Sequence, residues 1–167
     1  MKKNTGFTLL ELVMSMAIVA IMVTMAIPSM LSTVSDSRLT SQANGLVLSL
    51  NAARSESIKR GKIVAVGRTS TDWRDGWQVF VDENASLAFD AGEEVVHTSG
   101  PIKEGFTVTP TAIFADMVAY RPDGRSSSSG TFTFCSQAGA AQFRQVVIAE
   151  TGRIQTEETG DFATACP

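Results

Sequence analysis

The sequence has very few of the side chains that enzymes use for catalysis or that proteins use to hold a metal. Its 167 residues include one histidine, His97, and two cysteines, Cys135 and Cys166, which do not lie in a Cys-x-x-Cys pair. A structural zinc site would lack ligands, and no G-x-S-x-G motif supplies a nucleophile for a hydrolytic triad with His97. We therefore expect a protein that is not an enzyme and that binds neither a metal nor a cofactor.

A surplus of positive charge is also missing. Lysine and arginine number 14 against 17 aspartates and glutamates, and the formal net charge is -3. Binding to nucleic acid phosphates depends on clustered cations, so this composition does not indicate bulk attraction to nucleic acid. The acids concentrate between Asp82 and Glu94, where the glycine does not have the EF-hand spacing. A solvated acidic hairpin is the expected structure there, with a calcium loop as the alternative.

Charge is nearly absent from residues 7–31, where Glu11 is the single charged side chain. As a helix at about 1.5 Å per residue, this segment is long enough to span about 30 Å of hydrocarbon. A secretory signal would have a shorter apolar core and a small-x-small cleavage site, and no Ala-x-Ala follows this run. We expect a retained membrane helix, whose N-terminus Lys2 and Lys3 keep on the cytoplasmic side. Pro28 should kink or loosen its last turns.

A second helical pattern follows in residues 32–60. Apolar residues recur there at alternating intervals of four and three, which predicts a helix with one apolar stripe that packs on a domain. Gly61 follows Lys59 and Arg60 and is a candidate C-cap. The stripe consists of Leu39, Ala43, Leu46, Leu50 and Ala53.

From residue 62 to residue 167 the pattern changes to short strand-like segments separated by turn residues. Such spacing predicts an antiparallel sheet or β-sandwich. The predicted fold is therefore α+β, with a long N-terminal helix packed on a C-terminal β domain. Trp73 and Trp77 should pack a turn onto its core rather than stack on a ligand. The strand candidates are residues 62–68, 76–82, 94–98, 106–109, 117–121, 130–135, 143–149 and 153–156.

Both cysteines lie in this β-rich region. In an exported chain, an isolated pair predicts one disulfide between Cys135 and Cys166. By loop-closure entropy it would contribute roughly 3 to 4 kcal/mol if its geometry is unstrained. Two buried free thiols are the alternative.

Residues 2–12, KKNTGFTLLEL, combine a short basic leader, a glycine and an apolar run that contains a glutamate. This stretch resembles the prepilin signature of type IV pilins and type II secretion pseudopilins. The resemblance implies that a prepilin peptidase removes residues 1–6, cutting between Gly6 and Phe7, and methylates the amine of Phe7. It also implies that Pro28 has a position common in pilins. The protein would be held in the bacterial inner membrane by a single span, with its C-terminal domain in the periplasm, before it enters a pilus or pseudopilus filament.

The same resemblance gives Glu11 a role in assembly. A carboxylate among apolar helices costs several kcal/mol unless it is paired. Cleavage after Gly6 would create a cation, the amine of Phe7, in the same subunit or, as the resemblance implies, in a neighbouring one. Pairing would favour one axial register of the helices. The alternative is that Glu11 reaches the lipid headgroups near the helix end.

Later motifs are similar to those of a particular branch of the superfamily, which contains FimT, FimU and the type II secretion H component. This resemblance implies a minor pilin that contacts other pilins through its helix and supports assembly of a type IV pilus or of its tip or priming complex. A type II secretion H-type pseudopilin that drives protein export is the alternative. The motifs are NAARSESIKRG at 51–61, DWRDGWQVFVDEN at 72–84, YRPDGR at 120–125 and TGRIQT at 151–156.

A further alternative is DNA binding in natural transformation, as some FimT-like proteins do. The relevant element is Gly-Arg-x-Arg, and residues 152–155 read Gly-Arg-Ile-Gln, without the second arginine. Arg144 and Arg153 are the candidate phosphate contacts, although acidic residues at 150, 157, 158 and 161 surround them in the sequence.

Overall fold

The structure is a computed structural model that describes residues 8–136, 142–157 and 166, without the side chains of residues 24–32. Its first element is a helix, α1, from Leu9 to Arg60. The helix begins where the Thr8 side chain accepts a hydrogen bond from the Glu11 N–H at 3.2 Å. It ends at Gly61, which has a left-handed φ of 64° and donates its N–H to the Ser57 carbonyl. The predicted C-cap is therefore confirmed.

The two parts of α1 differ in their surroundings. From Leu9 to Val23 every side chain is exposed. The predicted stripe from Leu39 to Ala53 is fully buried, and each buried leucine of this kind contributes roughly 1.5–3 kcal/mol. The packing of this half on the β domain comes from that stripe.

In the part of the chain that the structure describes, no helix contains a stretch long and apolar enough to cross a membrane. The membrane span over residues 7–31 stays a prediction. Phe7 and the side chains of residues 24–32 lie outside the described residues.

All eight predicted strands are present, which confirms the α+β class. They form two four-stranded antiparallel sheets, here called sheet 1 and sheet 2. The strands are β1 Ile63–Arg68, β2 Trp77–Asp82, β3 Val95–Ser99, β4 Phe106–Pro110, β5 Met117–Tyr120, β6 Gly130–Ser136, β7 Phe143–Ile148 and β8 Ile154–Glu157. The strand order is β3-β2-β1-β5 in sheet 1 and β4-β6-β7-β8 in sheet 2.

The main core lies where α1 meets both sheets. Successive side chains of a strand point to opposite faces, so Val64 and Val66 of β1 face the helix stripe while Ala65 faces away from it. On that outer face of sheet 1, Ala65 packs with Phe80 and Ala119 in a small second cluster. Sheet 2 contributes to the main core the buried residues Phe106, Val108, Phe132, Phe134, Val146 and Ile148.

The two tryptophans are buried in the main core, as predicted. The indole N–H of Trp73 donates to the Ala115 carbonyl at 2.9 Å, and that of Trp77 donates to Ser49 Oγ at 2.9 Å. Because Ser49 lies on α1, Trp77 connects strand β2 to the helix.

The acidic stretch of residues 82–94, which runs from the last residue of β2 to β3, is mostly exposed, but Asp82 is buried. Its carboxylate accepts backbone hydrogen bonds from Ser86 at 3.1 Å and Leu87 at 3.0 Å. The prediction of a solvated hairpin is thus wrong for Asp82, because this residue organises the loop from inside. Among the described residues, no group of acids, histidines or cysteines could hold a metal ion.

Candidate functional site

Glu11 lies in the first turn of α1 with its side chain exposed. A negative charge is favourable at this end of a helix because the free N–H groups there carry partial positive charge. Within the described residues, the Glu11 carboxylate has no ion-pair partner. Gly6 and Phe7 lie outside the described residues, so cleavage, methylation and the pairing of Glu11 with the Phe7 amine stay predictions.

Pro28 lies inside α1, which continues through this position to Arg60. Its side chain is outside the described part of the chain. The loosening predicted at Pro28 therefore stays a prediction.

Arg54 connects α1 to turns that belong to both sheets. Its Nε donates to the Gly124 carbonyl at 2.9 Å, and its Nη2 donates to the Thr151 carbonyl at 3.2 Å. Gly124 lies in the turn after β5 of sheet 1, and Thr151 lies in the turn between β7 and β8 of sheet 2. One guanidinium therefore fixes the end of the helix relative to the whole β domain.

Two glycines allow this close approach. Gly152 has a φ of 79°, and a Cβ there would lie 2.0 Å from the Gly124 carbonyl oxygen. Gly124 has a φ of 77°, and a Cβ there would lie 2.8 Å from Cδ1 of Ile58 on α1. Both positions therefore favour glycine for conformation, and Gly152 also requires it for space. Three of the motifs noted in the sequence, at 51–61, 120–125 and 151–156, thus meet at this junction.

Tyr120 ends strand β5 and is fully buried in the main core. In the described part of the structure its hydroxyl has no hydrogen-bond partner. Burial raises the pKa of the Tyr120 phenol well above its ordinary value, and the positive charge of Arg54 offsets this in part. The phenol is neutral at physiological pH.

A second set of contacts joins α1 to sheet 2 nearer the N-terminal end of the packed half. Arg144 on β7 forms an ion pair with Asp36 on α1, with 2.6 Å between Nη2 and Oδ1. Ser35 and Ser136 hydrogen bond through their hydroxyls at 3.0 Å. Cys135, next to Ser136 on β6, forms the predicted disulfide with Cys166 at a Cα–Cα distance of 5.9 Å. These contacts hold the helix and the end of the chain to the same part of sheet 2.

The two arginines considered for DNA contact have different environments. The Arg144 side chain is 15% exposed and is bonded to Asp36 and to the Phe143 carbonyl, which favours a structural role. Arg153 is exposed. With the amide of Gln155 oriented to satisfy both groups, its oxygen accepts a hydrogen bond from Arg153 Nη2 at 2.6 Å. A neutral acceptor therefore stands where the DNA-binding element has its second arginine.

Sequence reasoning did not single out Arg54 or Asp36. Arg54 could have been noticed because it lies beside Ala53, at the edge of the apolar stripe, and within the motif at 51–61. Asp36 carried no comparable signal, because its partner is 108 residues away in the sequence.

Comparison with known proteins places these features in a family. The model of the family described as type II transport protein GspH matches residues 42–152, which is more than half of the chain. The prokaryotic N-terminal methylation motif matches residues 1–27. This motif implies processing by prepilin peptidase, anchoring in a membrane before assembly, and association with other pilins.

A relative agrees with this assignment, and two crystal structures share the fold. The pilin-like protein PilA1 of Thermus thermophilus is 30% identical over 158 residues, which cover 91% of this chain and 97% of the relative. A structure of the type IV minor pilin FimU of Pseudomonas aeruginosa has a TM-score of 0.61 at 21% identity, and the match covers 73% of this chain and 90% of FimU. A second crystal form gives a TM-score of 0.58 at 22% identity, with coverage of 71% and 92%. At this identity the FimU structures show a shared fold.

The FimU match agrees with the observed fold, a long N-terminal helix packed on two antiparallel sheets. Pilins and pseudopilins are structural proteins rather than enzymes. The chain belongs to the family of the type II transport protein GspH, within the superfamily of type IV pilins and pseudopilins.

Proposed function

We propose that the protein is a minor pilin of a type IV pilus. Prepilin peptidase removes residues 1–6 and methylates the new N-terminal Phe7. The chain then stays in the inner membrane through residues 7–31, with the β domain in the periplasm. From there it enters the pilus, or its tip or priming complex, and supports assembly.

The observation that carries this proposal is the contrast between the two parts of α1. Side chains from Leu9 to Val23 are exposed and mostly apolar, whereas the stripe from Leu39 to Ala53 is buried against the β domain. A contiguous apolar surface is unfavourable in water and marks a site of interaction with a membrane or another protein. Lipid covers it before assembly, and the helices of neighbouring subunits cover it in the filament.

Glu11 can set the axial register with which that apolar surface packs on neighbouring helices. Packing between apolar helices alone does not define how far one slides along another. A carboxylate that must find a cation does define it, because an unpaired charge in such a bundle is costly. The amine of Phe7 in a neighbouring subunit is the cation that processing supplies.

The rigid attachment of α1 to the β domain supports the same function. Arg54 fixes the C-terminal end of the helix to both sheets, and the pair of Asp36 with Arg144 fixes its middle to sheet 2. Helix packing inside a filament would therefore set the orientation of the β domain outside it.

A second candidate function is that of the type II secretion H-type pseudopilin, which the match to the GspH model over residues 42–152 favours. Its processing and its helix packing would be the same. The filament would be a short pseudopilus that drives export of folded proteins, instead of a surface pilus.

Deletion of the gene in cells that make the protein separates the two candidates. A minor pilin predicts that surface filaments decline several-fold while secretion of folded proteins into the medium is unchanged, with rescue by the wild-type gene. Loss of secretion with normal piliation would replace this proposal with the pseudopilin. Normal piliation and normal secretion together would contradict both.

A further inference from the structure

The loop between β2 and β3 contains an acceptor sequence for a covalent modification. The chain has four asparagines, and Asn84 is the one followed two positions later by serine or threonine, as Asn84-Ala85-Ser86. The pattern Asn-x-Ser/Thr, with x other than proline, is the acceptor for N-linked glycosylation in surface loops of exported proteins. Such a short pattern also arises by chance, so the structure around it decides whether Asn84 can serve as an acceptor.

The acceptor residues are accessible. Asn84, Ala85 and Ser86 are all exposed, and so are Glu83 and the residues that follow as far as Phe89. A glycan on the Asn84 side chain would therefore enter solvent.

The position of the loop leaves the packed helix undisturbed. Phe89 of this loop packs edge to face on Phe80, with 5.2 Å between ring centroids. Phe80 belongs to the cluster on the outer face of sheet 1, whereas the stripe of α1 packs on the other face. A glycan at this loop would lie on the side of sheet 1 that faces away from α1.

The two reactive groups of the acceptor sequence share one partner atom. Asn84 Nδ2 and Ser86 Oγ each donate a hydrogen bond of 2.8 Å to Oδ2 of Asp90. The Asn84 side-chain oxygen also accepts the backbone N–H of Ser86 at 2.9 Å. The hydrogen bonds from Asn84 and Ser86 lower the pKa of the Asp90 carboxyl, so it remains an ionised acceptor near neutral pH. The amide and the hydroxyl are thus held side by side at the surface.

The backbone of this loop is fixed in an uncommon shape. Ala85 and Leu87 have positive φ angles of 57° and 55°, which residues other than glycine rarely adopt. The buried carboxylate of Asp82 holds this shape by accepting the N–H groups of Ser86 and Leu87. The loop is therefore a defined projection from the domain.

We propose that Asn84 is an N-glycosylation site, modified by transfer of a sugar chain from a polyprenyl-diphosphate-linked oligosaccharide. Nδ2 of Asn84 attacks C1 of the first sugar, and a new bond forms between C1 and Nδ2. The bond between C1 and the diphosphate oxygen breaks, and polyprenyl diphosphate leaves with its electron pair. One proton of Nδ2 passes to a base of the transferase. The second N–H of Nδ2 remains, and one N–H is enough for the hydrogen bond to Asp90.

This inference rests on the proposed function in one respect, because the β domain has to be exported to meet such a donor. Formation of the disulfide between Cys135 and Cys166 is an independent indicator of export, since disulfides form in oxidising compartments outside the cytoplasm. One preparation can therefore be examined for both export and modification.

The test is mass spectrometry of the full-length protein purified from membranes and filaments of the cells that make it naturally. The proposal predicts a peptide that carries Asn84 with added mass equal to a whole number of sugar residues. The added mass should be absent in Asn84→Gln and Ser86→Ala and retained in Ser86→Thr, which keeps the hydroxyl. Asn51→Gln is the matched control, because Asn51 is exposed and is not part of an acceptor sequence.

The outcomes distinguish the inference from its premise. A chain with the disulfide formed and no sugar on Asn84 would overturn the glycosylation site and leave export intact. A chain with reduced thiols and no sugar would overturn both. Added mass that survives Asn84→Gln would place the modification elsewhere and contradict the assignment to this loop.

Discussion

Nε of Arg54 donates a hydrogen bond of 2.9 Å to the carbonyl oxygen of Gly124, which is 70 residues away in the sequence. The same carbonyl oxygen is closely approached by the backbone at Gly152. Helix α1, the turn after β5 and the turn between β7 and β8 are therefore joined at one point. In a filament protein, this joint would transmit the position of the helix to the surface domain.

Replacement of Arg54 should weaken this joint. Hydrogen bonds to charged groups contribute about 1.5–3 kcal/mol each, and a buried carbonyl left without a donor is unfavourable. We expect Arg54→Ala to lower the free energy of unfolding by about 2–3 kcal/mol, measured by denaturant unfolding of the full-length protein in detergent. Arg38→Ala, at an exposed position on the same helix, should change it little. Equal effects of the two substitutions would show that the contacts of Arg54 are not important.

Gly152 should not tolerate even a methyl group. A Cβ would lie 2.0 Å from the Gly124 oxygen at a φ of 79°, so steric overlap adds to a conformational cost of about 1–2 kcal/mol. The matched control is Gly61→Ala, where φ is 64° and no atom lies within 4 Å of the added Cβ. We expect Gly152→Ala to destabilise the protein by clearly more than Gly61→Ala in the same unfolding measurement. Similar losses at both positions would contradict the crowded junction.

Tyr120 should make stability fall at alkaline pH. Burial raises the folded pKa of Tyr120, so the free energy of unfolding is unaffected by this group below the unfolded pKa of about 10 and falls as the pH rises above it toward the folded pKa. The slope for one group is at most about 1.4 kcal/mol per pH unit. Because the chain has one tyrosine, tyrosinate absorbance reports on this residue alone.

The folded protein should therefore show no tyrosinate near pH 10 until it unfolds, and Tyr120→Phe should remove this part of the pH dependence. Tyr120→Phe should itself be neutral or slightly stabilising, since it removes a buried hydroxyl that has no partner among the described residues. Ionisation of the folded protein at the ordinary pKa would contradict the burial of Tyr120.

The ion pair of Arg144 with Asp36 predicts how the protein responds to DNA. Proteins bind DNA phosphates through lysine and arginine side chains that neutralise them, and the Arg144 side chain is 15% exposed and already paired with Asp36. We expect the full-length protein in detergent to show no salt-sensitive binding of double-stranded DNA, and Arg144→Ala to reduce stability instead. Binding that is lost in Arg153→Ala would contradict this and would support a function in DNA uptake.

Local patterns were sufficient for most of the fold. The stripe of Leu39, Leu46 and Leu50 follows the helical period, and short strand-like segments between turn residues predicted the eight strands. Gly61 ends the helix because a left-handed residue is needed there. Each of these features depends on residues close together in the sequence.

The joints between elements could not be predicted in the same way. Contacts such as Arg54 with Gly124 join residues far apart in the chain, and periodicity does not determine which strands become neighbours. The order β4-β6-β7-β8 and the burial of Asp82 likewise follow from how the elements pack. The role of Glu11 stays a prediction, and the contacts of Arg54 were missed.

The most direct test of the proposed assembly mechanism compares Glu11→Ala with Ser15→Ala, another exposed position in the same part of α1. Full-length variants are quantified in the membrane fraction and in sheared filaments. Glu11→Ala should reach the membrane at normal levels but fall at least about 10-fold in filaments, because an ionic pair broken in an apolar bundle costs about 3–5 kcal/mol. Ser15→Ala should enter both fractions like the wild type. Normal incorporation of Glu11→Ala into filaments would contradict the assembly role of Glu11.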